Sequence, residues 1–76
     1  MGNSKPEIGT RLRDVRTNAG LTQAQLADLV SVSRQTINYI ETGTYCPTTK
    51  LALQLAALLK TTVENLFYLP ENGNGK

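Results

Sequence analysis

Two apolar periods, each only about two turns long, meet across Ser31 and Val32, and this junction restricts the fold more than any other feature of the chain. Upstream, Leu26, Leu29 and Val30 supply one inward face. Downstream, Ile37 and Ile40 supply another, with Gln35, Asn38 and Tyr39 on the opposite side. Thr22-Gln23-Ala24-Gln25 fits a capping box, in which the Thr hydroxyl and the Gln25 side chain satisfy orphan N–H groups reciprocally. Ser33 caps the second segment, which runs to about Glu41 and stops at Gly43. So short a connection cannot lay the two helices side by side, and they must cross steeply. Ala27 permits the close approach, while Val32 and Ile37 fill the angle.

Three further helical periods surround this pair. The first runs from about Ile8 to Asn18, with Ile8, Leu12, Val15 and Ala19 in line and Ala19-Gly20 ending it. After the loop from Thr42 to Pro47, Thr48 caps a helix whose Leu51, Ala52, Leu55, Ala56 and Leu59 point one way, with Leu53 and Ala57 nearly opposite. Thr62 caps a last short helix carrying Val63, Leu66 and Phe67. None of the five is long enough to stand alone, so the expectation is an all-α domain of five mutually packed helices over residues 8–69. Residues 1–7 are expected to form a flexible arm, and residues 70–76, beginning at Pro70, a flexible tail.

At 76 residues there is room for one core only, so any function must sit on that domain. The chain has no His and a single Cys46, which excludes an internal disulfide and leaves no zinc or thiol-protease constellation. There are no paired carboxylates in a coherent motif and no Gly-rich phosphate loop, so an enzyme is not expected. No cofactor, metal or small-molecule ligand is implied, and Cys46 is read as an inert loop residue. No apolar run reaches the ~20 residues needed to span a bilayer, and Met1 to Pro6 lacks the apolar region of a secretory signal. A cytoplasmic setting without membrane contact is expected. The net charge of +2 is compatible with a polyanionic partner but too mild to identify one.

The segments Gly20 to Ala27, Val32-Ser-Arg-Gln-Thr-Ile37, Ile40-Glu-Thr-Gly43 and Tyr45-Cys-Pro47, in this order and spacing, resemble the Cro/CI (Xre-type) helix-turn-helix regulators, especially their short stand-alone members. The resemblance spans about Ile8 to Leu69. It implies a lambda-repressor-like domain that binds double-stranded DNA as a dimer, with the third helix in the major groove. The residues suit that role. Arg34 can pair bidentately with guanine O6 and N7, and Gln35 and Asn38 each carry the donor and acceptor that grip adenine N6 and N7. Tyr39 can stack on sugar or a thymine methyl, hold a phosphate, or simply pack.

By resemblance, phosphate contacts come from Gln23 and from the loop residues Thr42, Thr44 and Tyr45, with hydroxyls and backbone N–H groups as donors. Many relatives have a Lys or Arg in that loop; here there is none, and Arg13, with Arg11 and Lys50, is the candidate compensation. Ser31 stands where relatives commonly have Gly in a left-handed turn, so the turn either keeps that conformation at a cost of ~1 kcal/mol or is shaped differently. Relatives also pair an Arg of the first helix with a Glu ending the third, which here are Arg16 and Glu41. An isologous dimer on an inverted-repeat operator follows, because two heads about 34–36 Å apart read successive major-groove faces. Leu53, Phe67, Tyr68 and Leu69 are the candidate interface, with core packing the competing role for Phe67 and Leu69. A protein-binding adaptor or antitoxin on the same fold is the alternative function.

Overall fold

Four helix ends in this chain are built the same way. In a computed structural model, which describes residues 8–70, the elements are β1 (Gly9–Thr10), α1 (Leu12–Asn18), α2 (Gln23–Leu29), α3 (Arg34–Glu41), α4 (Thr49–Leu58), α5 (Val63–Leu66) and β2 (Phe67–Tyr68). The expected arm and residues 71–76 of the expected tail lie outside the described residues. The first four helices each close with paired backwards hydrogen bonds of the Schellman type: Leu21 and Gly20 onto Arg16 and Thr17, Val32 and Ser31 onto Ala27 and Asp28, Thr44 and Gly43 onto Tyr39 and Ile40, Thr61 and Lys60 onto Ala56 and Ala57. The motif requires a left-handed residue. Gly20 and Gly43 supply it without steric cost, whereas Ser31 (φ 61°) and Lys60 (φ 60°) adopt it despite their Cβ atoms. The turn between α2 and α3 therefore keeps the left-handed shape with Ser in the glycine position.

The helix starts follow the capping signals. Thr22 accepts from Gln25 N while Gln25 Oε1 accepts from Thr22 N at 2.9 Å, completing the capping box. Ser33, Thr48 and Thr62 cap α3, α4 and α5 by accepting from Thr36, Leu51 and Asn65 backbone N–H groups. The core gathers Leu12, Leu26, Ile37, Ile40, Leu55 and Leu66, all fully buried, with Ala27, Val30, Leu51, Ala52, Ala56 and Phe67 around them. Burial of each of the large side chains contributes about 1.5–3 kcal/mol.

Four expectations are corrected here. The first helix does not include Ile8: Gly9–Thr10 instead pair antiparallel with Phe67–Tyr68, which removes Phe67 from the last helix and places it in the second strand. Gly9 leaves room for the Tyr68 ring, which a Cβ there would displace, and the Arg11 guanidinium lies 4.4 Å from the same ring's centroid. Leu29 is 57% exposed, because the buried stripe of α2 runs through Leu26, Ala27 and Val30 and leaves Leu29 about 110° from its centre at ~100° per residue. Ala19 is exposed and caps α1.

Candidate nucleic-acid interface

The placement of Ile37 and Ile40 in the core decides what α3 shows to solvent. At ~100° per residue, Gln35 points directly away from that pair, Tyr39 lies to one side, and Arg34, Asn38 and Glu41 share the flank that meets the start of α2. Arg34, Gln35 and Tyr39 are exposed and Asn38 is half-buried. Gln35 Nε2 donates to the Tyr39 hydroxyl at 3.2 Å, so these two side chains form one surface unit.

A polar network fixes the flank of α3. Arg16 is 8% exposed, and its Nε and Nη2 both donate to the Glu41 carboxylate, while Nη1 donates to Leu21 O at 2.8 Å. The two charges thus neutralise each other behind α3 and tie α1 to its last turn, so removing one partner would strand the other in the interior. Gln23, the first residue of α2, then bridges from this pair to the exposed face. Its Nε2 donates to Glu41 Oε1 at 3.0 Å and to Asn38 Oδ1 at 3.2 Å, and its Oε1 accepts a long hydrogen bond of 3.5 Å from Arg34. Both amide protons of Gln23 are engaged by Asn38 and Glu41, so the side chain expected to hold a phosphate is also a bridge between helices. Nothing in the local sequence around Gln23 announces this, because its partners lie 11, 15 and 18 residues away.

The flanking candidates divide into two groups. Arg13 and Thr42 border a cleft of about 350 Å³ together with Arg16, Gln23, Asn38 and Glu41. Tyr45 stands on the opposite flank of α3, in a concavity with Ser31, Thr36 and Lys50. Across the loop, the backbone N–H groups of Thr42, Gly43, Thr44 and Tyr45 all donate to carbonyls of α3, and the Thr42 hydroxyl donates to Tyr39 O at 3.1 Å, so the Thr44 and Tyr45 hydroxyls are the loop donors without a carbonyl partner among the described residues. The Thr42 and Thr44 hydroxyls lie 2.8 Å apart. Arg11 is engaged with Tyr68 and with Asn65 O, away from this surface.

With no α3 residue in its lining, an open apolar groove of about 790 Å³ is framed by α4, α5 and β2 and includes Pro47, Ala52, Leu53, Ala57, Val63 and Phe67. Leu53 is 57% exposed, Tyr68 43% and Leu69 85%. Phe67 is 8% exposed and belongs to the core cluster, so its packing role prevails and it offers a partner little more than the floor of the groove. Among the described residues no helix is long and apolar enough to cross a membrane, and no cluster of His, Cys, Asp and Glu could hold a metal ion.

A family model described as "Helix-turn-helix" (HTH_3) matches residues 12–66. A Methanothermobacter thermautotrophicus protein named as an uncharacterized HTH-type transcriptional regulator is 45% identical over 65 residues, which cover 84% of this chain and 94% of its own length. An Archaeoglobus fulgidus protein with the same description is 41% identical over 58 residues, covering 76% and 83% of the two chains. The crystal structure of the restriction-modification controller protein C.AhdI from Aeromonas hydrophila superposes with a TM-score of 0.66 at 33% identity, covering 72% of this chain and 83% of that one.

Proposed function

The chain belongs to the helix-turn-helix family HTH_3, of the Xre/Cro-CI type, and on that premise we propose that it is a sequence-specific regulator of transcription, a repressor that binds an inverted-repeat operator as a homodimer. One observation carries this reading: α3 is anchored from behind by Ile37, Ile40 and the Arg16–Glu41 pair, leaving Arg34, Gln35, Asn38 and Tyr39 on one side for base edges. Each well-formed bidentate pair discriminates by about 1–3 kcal/mol, so two or three suffice for a useful preference over random DNA. Arg13, Thr42 and, beside it, Thr44 on one flank, and Tyr45 and Lys50 on the other, are the proposed phosphate contacts that set the register.

The proposed dimer forms through the α4–β2 side, with Leu53, Tyr68 and Leu69 as its apolar contacts. That side supports the assignment because it carries exposed large apolar residues beside an apolar groove, and because it leaves the outward face of α3 free in both subunits.

Selection of bound duplexes from a random-sequence pool by the purified protein tests the reading. The expected result is an inverted repeat with half-sites about 10–10.5 base pairs apart, and loss of binding in Arg34→Ala and Gln35→Ala. Failure to enrich any sequence would refute it and favour a protein-binding adaptor.

A further inference from the structure

We propose that Gln23 sets which base Asn38 reads, by holding the Asn38 side chain with only its NH2 group presented to the groove. The proposal rests on the reading of Asn38 as a base contact and adds the identity of the base.

The Gln23 amide has one orientation compatible with its neighbours. A carboxylate can only accept and a guanidinium can only donate. Glu41, charged and paired with Arg16, therefore requires Nε2 of Gln23 at its side, and Arg34 requires Oε1 at the other. The second Nε2 proton then points at Asn38 and must meet an acceptor, so Asn38 turns Oδ1 towards it at 3.2 Å. The opposite orientation of Asn38 would set two NH2 groups against each other. A buried ion pair thus imposes direction on two successive amides, and the last of them has Nδ2 on its free side, with no hydrogen-bond partner among the described residues.

This orientation changes what Asn38 can recognise. Gripping adenine requires Oδ1 and Nδ2 side by side on the base edge, the oxygen accepting from N6–H and the nitrogen donating to N7. With Oδ1 held towards Gln23, Asn38 offers donors alone. Its complement is an edge of acceptors, and guanine O6 and N7 are the major-groove edge with two. Asn38 therefore selects a G·C pair over an A·T pair, although an asparagine in a recognition helix would ordinarily suggest adenine. Gln23 is a positioning residue in this scheme, acting on DNA through Asn38.

The test is the same random-pool selection, performed on the full chain and on Asn38→Ala and Gln23→Ala, with thermal melting to verify folding. Gln23→Met, which keeps the stem and loses the hydrogen bonds, replaces the alanine variant if that one does not fold. Asn38→Ala identifies the base pair by flattening the preference there. At that pair the unmodified chain is expected to prefer G·C by about five-fold or more, the lower end of what one bidentate contact discriminates. With Gln23 removed the Asn38 amide is free to turn, and A·T is expected to bind at least as well as G·C. That gain is not produced by a mere loss of structure. Preference for A·T at that pair in the unmodified chain, or an unchanged G·C preference in the folded Gln23 variant, overturns the proposal while leaving Asn38 a base reader. If Asn38→Ala flattens no pair, the base-reading role itself falls, and the proposal with it.

Discussion

Replacing Ser31 by glycine is expected to stabilise the domain without touching a single contact of the core. Ser31 holds φ at 61° because the Schellman closure of α2 needs a left-handed residue there, with Val32 N–H bonded to Ala27 O at 3.0 Å and Ser31 N–H to Asp28 O at 3.3 Å. An L-residue with a Cβ in that region costs about 1–2 kcal/mol, which glycine avoids. Against this, glycine loses more backbone entropy on folding, about 0.5–1 kcal/mol. At the midpoints of these ranges the net gain is about 0.7 kcal/mol, equivalent to about 3–6 °C in Tm for a domain of this size. Urea and thermal unfolding followed by circular dichroism measure it, with an unchanged m-value showing that the surface exposed on unfolding is the same. Ser31→Ala is the control, since alanine keeps the Cβ and should gain nothing comparable. Lys60→Gly, at the equivalent site after α4 (φ 60°), should give a similar increment, and the two should add because they close different helices and share no hydrogen-bond partner. If Ser31→Gly melts no higher than Ser31→Ala, backbone strain at the turn is not a cost this fold bears.

Glu41→Ala should destabilise the domain by about 3–5 kcal/mol, because Arg16 would be left charged and unpaired at 8% exposure; unfolding measurements on Arg16→Ala, Glu41→Ala and the double variant should show the double costing much less than the sum. Gly9→Ala should force the Tyr68 ring off its seat and lose the Arg11 stacking, a cost of about 0.5–1 kcal/mol that Tyr68→Ala should abolish on repetition in that background. Leu53→Glu should leave stability within about 0.5 kcal/mol, since the side chain is 57% exposed, yet yield a monomer in sedimentation and weaken binding to a two-half-site duplex; an unchanged dimer would move the interface elsewhere. With Arg13, Arg34 and Lys50 as the candidate cations near α3, the log–log salt dependence should be no steeper than about −3 per reading head, and a steeper slope would mean that other cations reach the phosphates.

What the amino-acid order determined by itself is the set of features with short range. Capping residues Thr22, Ser33, Thr48 and Thr62 act within three positions of themselves, so their hydroxyls mark helix starts that the fold reproduces. The Ile37–Ile40 stripe likewise fixes the outward side of α3 through helical period alone. Chain order could not decide contacts whose partners are distant. Pairing of Gly9–Thr10 with Phe67–Tyr68 exists because the two ends of the domain meet in space, and it converts residues that read as helix into strand. Exposure of Leu29 and burial of Phe67 depend on which neighbours pack against each helix, not on their own hydrophobicity. The bridge from Arg16 through Glu41 and Gln23 to Asn38 joins three helices. The sequence supplies an amide at Gln23 and another at Asn38, but only the steep crossing of α2 and α3 beside a buried ion pair gives those amides a direction.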